Sequence, residues 1–374
     1  MIYREAGDFK TSYAADGQTF PLAFDRIAFY ALMVVALGVV PFIVNDYWAN
    51  AVLLPFLIWS ITALGLNILT GYCGQVSLGT GGFMAVGAYA CYKFMTGLDI
   101  HIPLGGGEWF SIILPQFNIF FAVLMGGLTT AVVGLMFGLP SLRIKGFYLA
   151  VATLAAQFFL VWLFNKWSWT YNHSASGQIT VPNTGMFGIE LTGPTASPAA
   201  KYLFCLVILI ALATVARNLT RGRIGRSWMA IRDMDIAAEI IGVNPLRAKL
   251  TAFAVSSFFV GVGGALFFSI YLGAIEVGEA FGIQKSFLVL FMIIIGGLGS
   301  IFGSFAGAAF MVLLPVLLKN VLVGSLGWPT DIAAHFEFLI VGALIVVFLI
   351  AEPHGIAALW RTVKEKLRLW PFPH

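Results

Sequence analysis

The chain has 374 residues, of which 60% are hydrophobic and 10% charged, with a net charge of +4 and a mean hydropathy of +0.92. Soluble domains carry roughly 25% charged residues, so this chain must meet lipid rather than water. The small, dispersed positive charge forms no basic stripe interleaved with aromatics, which argues against a nucleic-acid partner.

Residues 1–26 are polar with charges of both signs and read as a tail ahead of the first span, not as a signal peptide. Segments near 27–45, 48–69, 76–96, 117–138, 147–165, 200–216, 250–274, 285–299, 301–323 and 333–351 approach the ~20 apolar residues a spanning helix needs. They predict an all-α integral membrane fold with about ten transmembrane helices. Continuous apolar runs without alternation exclude a β-barrel. With the N-terminus inside, only Lys93, Lys166, Lys201, Lys285 and Lys319 of the 21 Lys and Arg fall outside. That bias predicts a multi-pass protein with both termini in the cytoplasm. The chain then divides into an N-terminal tail (1–26), a membrane region (27–351) and a basic C-terminal tail (352–374).

Between the second and third spans runs GYCGQVSLGTGGF, from Gly71 to Phe83. Irregular backbone at membrane depth is tolerated only inside protein or beside water, so this stretch should not face lipid. Gly71, Gly74, Gly79 and Gly82 permit a break, a turn or close helix contact. GGLGSIFGSFAG, from Gly296, echoes it: Gly71, Gly74 and Gly82 align with Gly296, Gly299 and Gly307. Glycine-interrupted segments in corresponding halves suit a duplicated transporter fold, hence a two-fold pseudo-repeat. The polar candidates for lining a path are Asn67, Gln75, Ser77 and Thr80 near the first segment, and Gln284, Ser300 and Ser304 near the second. Helix–helix hydrogen bonding is the competing role for each.

The 165–199 loop falls outside, with Trp167, Trp169 and Tyr171 suited to the membrane interface. The inside loop, 217–249, alternates apolar residues with Arg226, Arg232, Asp233 and Glu239 at helical spacing, and Gly242 with Asn244-Pro245 supplies a stop. It predicts one or two amphipathic helices, lying on lipid or docking a soluble partner. Cys73, Cys91 and Cys205 read as small buried hydrophobes. No P-loop and no metal-ligand spacing occurs, so an enzyme is not expected: no catalytic or metal-ligating residues are assigned. A stand-alone secondary transporter or channel would need carboxylates inside the spans, where Glu337 comes nearest.

Four blocks carry a resemblance: GLNILTGYCGQVSLGTGGFMAVGAYA (65–90), LPSLRIKGFYLAVATLA (139–155), GRSWMAIRDMDIAAEIIGVN (225–244) and IIGGLGSIFGSFAGAAF (295–310). In this order and spacing they resemble the larger membrane subunit of bacterial branched-chain amino acid ABC importers. The resemblance implies a type II ABC importer permease in the bacterial inner membrane. It implies a homologous smaller permease, two ABC ATPase subunits and a periplasmic binding protein as partners. ATP and Mg would then sit on the partner subunits, with no cofactor on this chain. It also implies that the inside loop couples to an ATPase through Arg226, Ile231, Arg232, Asp233 and an Ala238–Glu239–Gly242 core. Where the family often has Ser-Leu-Gly-His, this chain has Ser77-Leu78-Gly79-Thr80. Relatives that carry urea, short amides or small carboxylates leave the substrate open.

Overall fold

A computed structural model of the chain describes residues 11–12, 23–105, 108–141, 148–186, 188–193, 195–352 and 354–369. Most of the tail 1–26 and the basic Arg143 and Lys145 lie outside the described residues.

The fold is helical. In chain order the long elements are α1 (Asp25–Ile43), α2 (Asp46–Tyr72), α3 (Thr80–Thr96), α4 (Ile119–Ser141), α5 (Tyr148–Lys166) and α6 (Pro198–Arg221). Two short helices follow, α7 (Arg223–Asp233) and α8 (Asp235–Ile240), then α9 (Pro245–Leu272). The rest are α10 (Val277–Ala280), α11 (Ile283–Gly296), α12 (Ile301–Ser325), α13 (Thr330–Ala351) and α14 (Gly355–Leu369). Among the described residues, nine helices are long and apolar enough to cross a membrane.

The third expected span differs. A helix over 76–96 was expected, yet α3 begins only at Thr80 and has 17 residues, because Gln75–Gly79 is non-helical. At 1.5 Å per residue α3 is about 25 Å long, at the short end for a spanning helix. The expected 250–274 span instead starts at Pro245, where the Asn244 side chain accepts from Arg247 N at 3.1 Å and proline takes the first helical position. The basic C-terminal tail is helical as α14, with Lys364 paired to Asp25 at 3.0 Å.

Outside the long helices, β1 (Leu98–Gly105) and β2 (Glu108–Leu114) form an antiparallel hairpin in the α3–α4 connection, with His101 opposite Ser111. Strand β3 (Ile179–Thr180) in the 165–199 loop pairs with β6 (Ala274–Ile275) after α9, and β4 (Gly185–Met186) pairs with β5 (Ile189–Glu190). Buried Lys93 anchors that loop: its ammonium donates to Asn172 Oδ1 and lies 4.1 Å from the Trp169 ring centroid.

Helices α2 and α9 are almost enclosed, whereas α1 is peripheral. Between membrane helices no hydrophobic force operates, so close packing needs small residues. Helix α9 supplies them against α2, α3 and α4. A Cβ at Gly87 would fall 2.1 Å from Gly261 O, and one at Gly264 would fall 2.1 Å from Met84 O. The backbones of α3 and α9 are therefore in direct contact.

Candidate functional site

The two glycine-rich breaks touch each other. The first follows α2; the second separates α11 from α12. A Cβ at Gly71 would lie 2.2 Å from Gly299 N and 2.0 Å from Asn67 Oδ1, so only glycine fits there. Buried Asn67 joins the breaks: its Nδ2 donates to Ser300 O and Ser304 Oγ, both at 2.8 Å, and its Oδ1 accepts from Gly299 N at 2.9 Å. Ser300 also caps α12 by accepting from Gly303 N at 3.1 Å. Three polar side chains thus satisfy backbone groups freed by the second break.

A second polar cluster lies deeper. From Tyr72 the chain turns back into the bundle, so that α3 starts level with Gln157, at the middle of α5. That is about 14 Å along α5 from Tyr148. The first amides of a helix have no partner within it. Here Gly81 N donates to Ser286 Oγ at 2.8 Å and Gly82 N donates to Gln157 Oε1. Ser286 Oγ donates to Gln157 Oε1 at 3.1 Å, and Gln157 Nε2 donates to Phe281 O at 2.8 Å. Thr153 Oγ1 accepts from Leu78 N at 3.0 Å. The starts of α3 and α11 therefore face each other inside the bundle, held by side chains of α5 and α11. The Thr80 hydroxyl is buried here with no hydrogen-bond partner among the described residues.

Helices α7 and α8 cap the end of the bundle where the breaks meet. Trp228 and Ile231 point inward from α7, and Trp228 Nε1 donates to Thr251 Oγ1 at 3.1 Å. Arg232 Nη1 donates to Gly71 O at 3.0 Å while the side chain pairs with Asp233 at 3.0 Å. Ala238 also points inward, but Met234, Ile236, Ile240 and Ile241 are exposed, Ile240 at 81%. Lys249 pairs with Asp235 and so fixes α8 against α9. Gly242 ends the helix pair at a φ of +89°, which favours glycine. The cap presents charged and apolar groups together on a face that no other described element covers.

The profile of the branched-chain amino acid transport system permease component matches residues 49–349. The chain belongs to this family. It is 30% identical over 368 residues to the high-affinity branched-chain amino acid transport system permease protein LivM of Escherichia coli, covering 93% of this chain and 78% of the relative. The LivM protein of Salmonella typhimurium is 29% identical with the same coverage. A probable branched-chain amino acid transport permease of Methanocaldococcus jannaschii is 24% identical, covering 82% of this chain and 92% of the relative. No solved structure matched.

Within the permease, the residues singled out from sequence fall in distinct places. Asn67, Ser300 and Ser304 form the junction at the α7–α8 end. Ser77 and Thr80 are buried at the deeper cluster, Gln75 is half-buried between the two, and Gln284 is exposed at the start of α11. Gly71, Gly74 and Gly299 surround Arg232; Gly79 and Gly82 lie against α5; Gly296 and Gly307 meet where α11 crosses α12. Of the loop residues, Arg226, Asp233 and Glu239 are exposed, whereas Ile231 and Ala238 pack inward. Gln157 and Ser286 were missed. The available signal was an amide alone among apolar residues in LAAQFFLV (154–161).

Proposed function

We propose that this chain is the membrane subunit of an ABC importer, forming half of a translocation path for branched-chain or other small amino acids. ATP hydrolysis on two partner ATPases drives it. A second permease completes the path, and a periplasmic binding protein delivers the cargo. The observation that carries the reading is the link from α7–α8 to both helix breaks through Arg232. An exposed apolar surface on α8 gives an ATPase a place to push, and the Gly71 and Gly299 backbones move with it. The protein then lies in a bacterial inner membrane with both termini in the cytoplasm, an orientation that the Lys and Arg bias supports.

Uncharged groups suit such a driven path. Among the described residues, the buried polar side chains are Ser, Thr, Asn and Gln, with Lys93 the one buried charge. A coupling-ion site would call for carboxylates. The Thr80 hydroxyl, buried without a partner among the described residues beside the glycine-built start of α3, would meet cargo only once the half-helices part.

The test is reconstitution in proteoliposomes with the partner permease, ATPases and binding protein. Leucine uptake is expected to need ATP and all partners. Uptake by this chain alone, driven by an ion gradient, would overturn the reading.

A further inference from the structure

Helix α14 follows α13 after residues 352–354 alone, and it packs against α11 and α12. A Cβ at Gly355 would fall 2.6 Å from Gly297 N, and one at Gly297 would fall 3.0 Å from Ala357 Cβ. The Trp360 ring stacks on Phe302, in the first turn of α12, with centroids 6.0 Å apart and planes 26° apart. Further along, Lys364 Nζ donates to Asp25 Oδ1 at the start of α1 at 3.0 Å. These contacts hold α14 level with the ends of spanning helices, where hydrocarbon gives way to headgroups.

The held face leaves an apolar stripe open. Leu359, Val363 and Leu367 recur every fourth residue, and at about 100° per residue they lie within about 80° of one another. They are 42%, 44% and 54% exposed, and Trp360 borders them. Lys364 and Lys366 fall at the two margins of the stripe, and Arg361, Thr362 and Glu365 make up the polar face. Residues 355–369 carry four basic residues and one acidic. An apolar stripe margined by lysines fits the boundary between acyl chains and headgroups: the stripe sinks into the acyl layer while the long cationic side chains reach the phosphates.

We infer that α14 is an in-plane membrane anchor that selects anionic phospholipid headgroups. Lys364 is already paired with Asp25, so exposed Lys366 and Arg361 supply the cations for the lipid phosphates. Zwitterionic lipid would cover the stripe but leave the excess positive charge unmatched. A soluble partner is disfavoured, because the stripe lies at the depth of Phe302 in a span and a protein from the aqueous side would have to displace headgroups to reach it. Gly355 packs on the Gly297 backbone, so the anchor also fixes the depth of the second break. The inference needs only the membrane boundary, not the transport reading.

The experiment uses the full chain carrying Val363→Cys labelled with bimane, in nanodiscs of equal amounts of phosphatidylcholine and phosphatidylglycerol. Cys73, Cys91 and Cys205 are buried and should stay unlabelled. Each lipid is brominated in turn, and iodide serves as the quencher from water. Brominated chains should quench the label at 363 more strongly than iodide does, and brominated phosphatidylglycerol more strongly than brominated phosphatidylcholine. A label at Glu365→Cys, on the polar face, should be quenched best by iodide. Lys366→Gln should cut the phosphatidylglycerol preference several-fold, the scale of one lysine at an anionic surface, and high salt should weaken it too. Melting temperatures in detergent report that each variant is folded. Iodide quenching at 363 as strong as at 365 would overturn the anchor. Equal quenching by the two brominated lipids, or a preference unchanged in the Arg361→Gln/Lys366→Gln variant, would overturn the selection of anionic lipid. If added ATPase subunits abolished lipid quenching at 363 and Leu367→Ser lost their copurification, the stripe would belong to a protein partner and the anchor would be overturned as well.

Discussion

Arg232 Nη1 lies 3.0 Å from the carbonyl oxygen of Gly71, so a side chain of α7 holds the backbone at the end of α2. The same guanidinium is packed on the other break. A Cβ at Gly299 would lie 3.1 Å from Arg232 Nη1, and one at Gly74 would lie 3.0 Å from Arg232 Cγ. One side chain therefore touches both glycine-rich segments and belongs to the exposed face of α7–α8. A displacement of α7 must pull on Gly71 or break this contact.

Replacing Arg232 with alanine removes that link. The side chain is 39% exposed, so the stability cost is small, about 1 kcal/mol or less. The cost to coupling is larger: ATPase activity should persist in the assembled importer while leucine uptake falls at least several-fold. Arg232→Lys should recover only part of the uptake, because an ammonium offers a point charge rather than a planar fork. Uptake at the normal rate in Arg232→Ala would remove this contact from the mechanism.

Gln157 is the centre of the deeper cluster. Gln157→Leu leaves Gly82 N and Phe281 O without their partners inside the bundle, at about 1–3 kcal/mol each. A fall in melting temperature in detergent is expected. Phe158→Leu, a neighbouring change at a side chain that is 58% exposed, should leave the melting temperature nearly unchanged. Equal melting temperatures for the two variants would mean that water replaces the amide without cost.

Composition and periodicity carried the fold class, and glycine spacing located both breaks. Their depth was not legible. The run Gly71–Phe83 reads as a loop followed by a span, and nothing in it tells that Gln75–Gly79 turns back into the bundle so that α3 starts beside Gln157. That depends on Thr153, Gln157, Phe281 and Ser286, two of them 75 residues from their partners in the run and two about 200 away, none marked by a motif of its own. The inside loop shows the same limit. Helical spacing predicted an amphipathic segment, but assigning Ile231 and Ala238 to the buried face and Ile240 to the exposed one requires knowing where α9 sits. Asn67 is a further case. A polar residue in a spanning segment serves equally as path lining or as glue until its partners are known, and here three hydrogen bonds occupy it.

Ile240 offers a test of the uncovered face. Ile240→Asp changes a side chain that is 81% exposed, so the isolated permease should melt within a degree or two of the parent. Loss of a buried apolar anchor at an interface costs at least about 1–2 kcal/mol, or roughly tenfold in affinity. Copurification of the ATPase subunits should drop accordingly. Full retention of the ATPases would show that the exposed isoleucines lie outside the docking surface.

The crossing of α11 and α12 is expected to be the least tolerant of a single methyl group. A Cβ at Gly307 would fall 1.8 Å from Met292 O, and one at Gly296 would fall 1.9 Å from Gly303 O. Both neighbours are backbone atoms, which cannot rotate away, so the two helices would have to separate. Overpacking of this kind costs about 1–3 kcal/mol or more. Separation here would also stretch the Asn67 bonds to Ser300 and Ser304, a few residues away. Gly342→Ala, by contrast, meets nothing within 4 Å and replaces a poor helix former with a good one. Thermal melting in detergent should therefore rank Gly342→Ala at or above the parent and Gly307→Ala well below it. If Gly307→Ala melted with the parent, α11 and α12 would have to cross at a greater distance than the one described here, and the second break would lose its support.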